Sequence, residues 1–433
     1  MGAVIGTGIF LTPGSVVAEV GAAASPFVWL VGGLLTLAGA LTYAELGAMF
    51  PRAGGLYHFL KEAYGTVWGF LFGWTCLLVI MSGGIAAIAI GFGEYLGAFV
   101  PVFSSAHIVL HVGAWQVSGA QVAAVAAIVL LTCINQMGLE PAALLQAVFT
   151  FAKVGAIVAL IAFGAMAMPV TEVAPSLPDF ASDGGLGLLG AFGAAMVAAL
   201  WTFDGWYAAT FSAGEVRHPS RDLPRGLIVG VVAISVLYAA LSLVYLRALP
   251  EAQLAASTRV AEDAARALFG ESAARAMTLA VVVSAFGCLA ATILYSSRVY
   301  QPMAADGVFF RRVAHIHPKW RTPVAALWLQ SGWAIALALT GSYSQLFTFV
   351  TFGSVLFHVA GGLALFRLRA TLPNAPRPYR AAGFPLIPAL FVLGMLLLTI
   401  NTLMTAPRES LLGLALIAAG LPAYAFWRRK RAA

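Results

Sequence analysis

The sequence predicts an all-α integral membrane protein of about twelve spans, two of them broken in mid-membrane. Three observations carry that expectation. Of 433 residues, 61% are hydrophobic and only 9% are charged, whereas a soluble domain carries about 25% charged residues. Apolar runs of spanning length recur along the chain. Two of these runs are interrupted where a membrane helix should be most regular, at Ile5-Gly6-Thr7-Gly8-Ile9-Phe10 and at Trp201-Thr202-Phe203-Asp204-Gly205-Trp206.

A span needs about 20 apolar residues, and loop signals separate the runs. The first, broken span reaches about Val20. Only Met1 to Ile5 precede its glycines, so its first half reads as cut short, with the true start upstream. Met1 leads into Gly2 without a basic n-region, so no signal peptide is expected. The second span is Pro26 to Met49, closed by Pro51-Arg52-Ala53-Gly54-Gly55. The third is Gly65 to Phe99, long enough to tilt. The fourth, Gly119 to Ile134, turns tightly into the fifth, Pro141 to Met168. The sixth, Leu186 to about Ser212, holds the second break. The seventh is Gly226 to Leu246, followed by a polar helical stretch, Glu251 to Phe269. Spans eight to twelve are Ala274–Met303, Pro323–Thr340, Gln345–Leu368, Phe384–Thr405 and Leu411–Trp427.

Charge tests this order. A net charge of +7 suggests nucleic acid in a soluble chain, but here the basic residues lie between spans, where they set topology. Arg52, Lys61, Arg217, Arg221, Arg225, Arg298, Arg311, Arg312, Lys319, Arg321, Arg367, Arg369, Arg377, Arg380, Arg428, Arg429, Lys430 and Arg431 fall on one side. Arg247, Arg259, Arg266, Arg275 and Arg408 fall on the other. Both termini are therefore expected in the cytoplasm, in a multi-pass protein of the cell (inner) membrane, with no nucleic-acid partner. Cys76, Cys133 and Cys288 all lie in apolar spans, which argues against loop disulfides and thiol-ligated metal.

Glycine costs about 1 kcal/mol in a helix interior, so paired glycines invite a helix to open. Hydrocarbon cannot satisfy the freed backbone groups, and an opening persists only where it lines a cavity or binds something polar. Two such openings, in two halves of a chain, mark a carrier with its site at the midplane. Separated half-helix ends offer amides to an anion and carbonyls to a cation. One zwitterion uses both, so an amino acid is the natural ligand. The competing account is glycines that only let helices pack closely.

These residues carry a resemblance. Gly2 to Pro13, Tyr43-Ala44-Glu45-Leu46-Gly47, Pro51 to Tyr57, Phe203 to Trp206, Gly214 to Pro224, Ser296 to Tyr300, Asp306-Gly307 and Thr322-Pro323 resemble, in order, motifs of the amino acid–polyamine–organocation (APC) superfamily. Ser284 to Gly287 and Tyr238 look closest to the L-type amino acid transporter branch. The resemblance implies a LeuT-type fold: five helices, an inverted second five and two extra helices. It places the first repeat at about 1–168, the second at about 186–368 and the extra helices at about 384–427, in one domain. It implies that the Thr7 and Gly8 amides hold a substrate carboxylate, and that carbonyls near Val4, Trp201 and Asp204 take its ammonium. Val4, Ile5, Gly6, Thr7, Gly8, Trp201, Thr202, Phe203 and Asp204 are thus the candidate substrate site, with Trp201 as gate. No cofactor is implied.

Lys153 is the one lysine or arginine placed well inside a predicted span, and an uncompensated charge there costs several kcal/mol. By the resemblance it stands where sodium-coupled relatives hold sodium, in a coupling network with Tyr238 and Ser284, which implies sodium independence. A structural tether or a snorkelling side chain is the alternative. Asp204 reads as an N-cap of a resumed helix, or else as a ligand or proton carrier. Glu45 reads as a buried hydrogen-bonding group, and His358 as a satisfied core histidine. His107 and His111 have i, i+4 spacing but no carboxylate or thiol to join them, so no metal site is expected. Ser82-Gly83-Gly84 leaves room beside the substrate.

The function expected is sodium-independent exchange of neutral L-amino acids by alternating access. The alternative within the class is an exchange or proton-coupled carrier of cationic amino acids or polyamines. A membrane enzyme lacks H-E-x-x-H and G-x-S-x-G motifs, and a channel wants rings of like residues. No covalent single-span partner is expected, because Val100 to Ser118 contains no cysteine, where animal members of the resembling branch carry one.

Overall fold

The computed structural model describes residues 1–113, 115–167, 186–341 and 343–432. Among them nine helices are long and apolar enough to cross a membrane. One of the nine, Gly8–Met49 (α1), is two spans joined at Gly21, whose φ of 76° and ψ of 166° are non-helical. That φ is left-handed, which only glycine adopts cheaply. Two shorter apolar helices, Gly187–Phe203 and Val324–Thr340, complete twelve spans.

In chain order the other helices are α2 (Leu56–Tyr64), α3 (Thr66–Thr75), α4 (Met81–Leu96), α5 (Gly119–Gln136), α6 (Leu139–Met166) and α7 (Leu186–Phe203). They continue with α8 (Pro219–Ala248), α9 (Glu251–Ala256), α10 (Val260–Phe269), α11 (Glu271–Ala305) and α12 (Val324–Thr340). The last are α13 (Tyr343–Thr371), α14 (Leu386–Thr405) and α15 (Pro407–Ala432). The end expected for the fifth span, Met168, lies outside the described residues. The polar stretch expected after span seven is α9 and α10. The outer loop after the third span contains an antiparallel hairpin, β1 (Ile108–Val112) with β2 (Trp115–Ser118). His107 and His111 are exposed on it, and no metal-binding cluster exists among the described residues.

The third span lies deepest. Its segments α3 and α4 are joined by one π-helical turn, Cys76–Ile80, and 94% of its apolar window is buried. The window of α15 is only 17% buried, so the last helices form the periphery. α1 packs chiefly on α7 and α8, which brings the two broken segments together.

The cytoplasm-facing end predicted from charge is laced by ion pairs. Glu45, fully buried, accepts from Arg369 Nε at 2.9 Å and from the Ala381 amide at 2.7 Å. Arg377 Nε lies 3.2 Å from the same carboxylate. Lys61 donates to Asp306 at 2.6 Å, and Arg298 to Glu215 at 3.1 Å. Glu45 is thus a buried hydrogen-bonding group away from the helix breaks.

Candidate functional site

The first break is a run of non-helical residues from Met1 to Thr7, with α1 starting at Gly8. Its carbonyls have left the helix, yet four of them are met by side chains from other elements. Lys153 of α6 donates to Gly2 O at 2.7 Å and to Ile5 O at 2.6 Å. Cys288 Sγ donates to Ala3 O at 3.3 Å, and the Tyr238 hydroxyl to Val4 O at 3.3 Å. Ser284 Oγ also faces Ile5 O, at 3.5 Å. Buried carbonyls need such partners, so a charge and three softer donors replace the missing helical turn. At the other end, Thr7 caps α1 without a side-chain hydrogen bond, and its buried Oγ1 has no partner. The first amides of a helix have no intrahelical acceptor, which leaves them for an anion.

The second break follows α7. No α-helix resumes after Asp204: only single 3₁₀ turns at Ala208–Thr210 and Ala213–Glu215 continue the chain. Asp204 is therefore not the N-cap that its spacing suggests. The Gly205 turn at φ 86° carries the backbone sideways instead. The breaks touch one another. A Cβ on Gly8 would lie 2.9 Å from Thr202 Cα, and Thr12 Oγ1 lies 2.7 Å from Thr202 Oγ1. Tyr238 also donates to Thr202 O at 3.3 Å, so one hydroxyl spans both breaks.

Between the breaks lies a cavity of about 30 Å³, walled by Val4, Gly6, Thr7, Gly8, Trp201, Thr202 and Asp204 among others. Two expected residues are not on this wall. Phe203 turns away onto Tyr238 and Trp29, with ring centroids at 5.1 and 6.4 Å. Ile5 contributes only its carbonyl, to Lys153 and Ser284. Tyr238 joins the network through the same stretch of backbone rather than through a hydrogen bond to Lys153. Of Ser82-Gly83-Gly84 only Gly84 lines the cavity, beside Ile80, Met81 and Ile88. The π-turn sets which face of the third span does so, and no residue pattern announces a π-turn. Cys288, Thr292 and Tyr295 of α11 complete the wall; their spacing of four and then three residues, which puts them on one helical face, was the available signal.

The site is thus narrow, though its space exceeds the roughly 10–15 Å³ that a single water needs. Larger cavities flank it. One of about 680 Å³ is lined by Leu11, Ser15, Trp115, Ser257 and Phe347. Phe347 stacks on Trp201, with ring centroids at 6.3 Å, between that cavity and the one at the breaks. Another, of about 520 Å³, is lined by Met1 to Val4, Gly205, Tyr295 and the Gly226–Ile234 part of α8. Gly226 lies in the first turns of α8 and Ser257 beyond its far end, so the two approaches come from opposite ends of the bundle.

Residues 1–421 match the family model described as amino acid permease. The chain is 30% identical over 436 residues to the serine/threonine exchanger SteT of Bacillus subtilis (strain 168), covering 100% of this chain and 95% of that protein. It is 29% identical to the mouse large neutral amino acids transporter small subunit 2, over 99% of this chain and 80% of the other. It is 28% identical to the mouse b(0,+)-type amino acid transporter 1, over 94% of this chain and 81% of the other. With broken helices meeting at a buried cavity in a multi-pass helical bundle, the chain belongs to the amino acid permease family of the APC superfamily.

Proposed function

We propose that this permease exchanges neutral L-amino acids without sodium, by alternating access across the cell (inner) membrane, with both termini cytoplasmic. The observation that carries the reading is the Lys153 ammonium on the Gly2 and Ile5 carbonyls of the first break. A fixed cation there does the work that a sodium ion would do, neutralising bared carbonyls beside the substrate. A zwitterion then fits the remaining groups: its carboxylate on the amides of Thr7 and Gly8, its ammonium towards Trp201, Asp204 and Val4. Trp201, stacked on Phe347, is the gate. Relatives named as exchangers and neutral amino acid transporters support the same substrate class.

The repeats proposed are residues 1–168 and 186–368, each contributing one break, with 384–427 outside them. No covalent single-span partner is proposed; a disulfide-linked heterodimer on a non-reducing gel overturns that. The Asp204 carboxyl on the cavity wall favours a second reading, a cationic substrate. Uptake of a panel of labelled neutral and cationic amino acids into proteoliposomes decides. Saturable uptake of a neutral member, trans-stimulated by internal amino acid and indifferent to sodium, is expected. Uptake that requires sodium, or that internal amino acid does not stimulate, removes the reading.

A further inference from the structure

Behind the second break lies another cavity, of about 20 Å³, that exchange leaves unused. Its wall includes Thr36 of α1, Asp204 and Trp206 from the break, and Thr351, Ser354 and His358 of α13. The last three fall on one helical face, spaced three and then four residues apart. Thr351 and Ser354 are 4% and 5% exposed, and neither hydroxyl has a hydrogen-bond partner. Ser354 lies towards the Tyr207 hydroxyl without reaching hydrogen-bond geometry. A buried hydroxyl left unpaired costs about 1–3 kcal/mol, and a polar cavity above about 10–15 Å³ admits a water. The space has the room and the polar lining that a water needs.

It lies between two titratable groups, Asp204 and His358. Asp204 walls both this cavity and the one between the breaks. The carboxyl is faced by the Tyr207 hydroxyl and the Gly205 amide, and it forms no ion pair among the described residues. Cys76 in the π-turn and Cys288 and Tyr295 of α11 are the other titratable groups near it. Across the cavity, His358 Nδ1 lies 3.0 Å from the Tyr43 hydroxyl. The His358 ring packs on Tyr207, Trp206 and Phe391, with centroids at 4.9, 5.4 and 6.2 Å. α14 brings only Phe391 and Met395 here, neither of them titratable.

We propose that this cavity is a proton site, in which a water held by Thr351 and Ser354 joins Asp204 to His358 and passes a proton between them in step with substrate binding. In that step the carboxyl O–H bond breaks, the water accepts that proton and donates another, and an N–H bond forms on the imidazole. Carboxyl and imidazole become carboxylate and imidazolium. Both arrangements are net neutral, which avoids the uncompensated charge that costs several kcal/mol within a membrane. An ammonium bound at the break favours the carboxylate arrangement by simple attraction, and its departure returns the proton. Exchange alone requires no such movement.

The test has two arms on the purified full chain. The first rests on the exchange reading: labelled L-serine exchange in proteoliposomes over a pH series from about 5 to 8. Wild-type exchange is expected to change at least about fivefold across that range. His358→Gln keeps a partner for Tyr43 but cannot titrate; it is expected to exchange with a flat pH profile. The double variant Thr351→Val/Ser354→Ala, which dries the cavity, should flatten it too. The second arm needs no transport: infrared difference spectra of the substrate-free protein on a pH step. A carboxyl C=O band absent in Asp204→Asn, and altered in both His358→Gln and the dry double variant, supports the site. Absence of L-serine exchange with that band intact overturns the exchange reading and leaves the proton site standing. A wild-type profile without pH response, variants with the wild-type response, or a carboxyl band indifferent to His358 and to the hydroxyls overturns the proton site.

Discussion

Lys153 donates to Gly2 O and Ile5 O, 2.7 and 2.6 Å away, and so staples the middle of α6 to the opened start of the first span. Removing the ammonium in Lys153→Ala strands those carbonyls, at about 1–3 kcal/mol or more. If the two faces of the cycle differ in how the break is held, the loss falls unequally on them. Apparent affinity from one side is then expected to shift about tenfold for each 1.4 kcal/mol of bias, with the protein still folded. The measurement is substrate affinity from each side in oriented proteoliposomes, with and without sodium. Equal affinities for mutant and wild type on both sides, at unchanged turnover, would reduce Lys153 to scaffold.

The crossing of the breaks leaves no room at Gly8 and ample room at Gly84. A Cβ on Gly8 meets backbone, Thr202 Cα at 2.9 Å, whereas one on Gly84 meets nothing within 4 Å. Overpacking of a tight core costs about 1–3 kcal/mol. Gly8→Ala is therefore expected to cut exchange at least about tenfold while the protein still inserts. Gly84→Ala should exchange small amino acids at near wild-type rate and lose the larger ones first. Uptake of a size series by both variants checks the pair; the same loss for both would mean that the cavity is not where substrate sits.

Asp306, at the end of α11, carries a pH dependence. Burial raises its pKa, but hydrogen bonds from Lys61 and Tyr57 outweigh that and hold the carboxyl below its ordinary range. A depressed carboxylate contributes stability that is complete above its unfolded pKa, about 3.9. That contribution fades as pH falls through the folded value. The melting temperature of wild type is thus expected to exceed that of Asp306→Asn at pH 7, and the gap should close in acid below about pH 4. A gap that stays constant down to that acidity would remove Asp306 as its source.

Glu45 neutralises one end of the bundle from within. It is fully buried against Arg369 and Arg377, and the Arg377 side chain is only 6% exposed. Breaking a buried pair from one side costs about 3–5 kcal/mol, because the remaining charge is stranded. Glu45→Gln is expected to lower the melting temperature sharply, and Glu45→Gln with Arg377→Met to recover part of the loss. A double variant no better than the single one would show that the carboxylate serves the Ala381 amide rather than the arginines.

The breaks, the spans and the lone interior lysine were legible in the residues because each is a local or one-dimensional property. Glycine weakens a helix wherever it sits, hydrocarbon thickness sets the length of an apolar run, and a lysine inside such a run needs a partner whatever the fold. What Lys153 binds was not legible, because its partners Gly2 O and Ile5 O are backbone atoms about 150 residues away, and every residue has a carbonyl. The same holds for the π-turn at Cys76–Ile80, which aims Gly84 at the cavity, and for the chain running sideways after Asp204 where a helix was expected. Phe203 and Trp201 are two residues apart, and sequence alone could not say which faces substrate. Only packing decided that Phe203 seats against Tyr238 and Trp29 while Trp201 lines the cavity against Phe347. A broken helix has no fixed rotation of its own, and its neighbours set it.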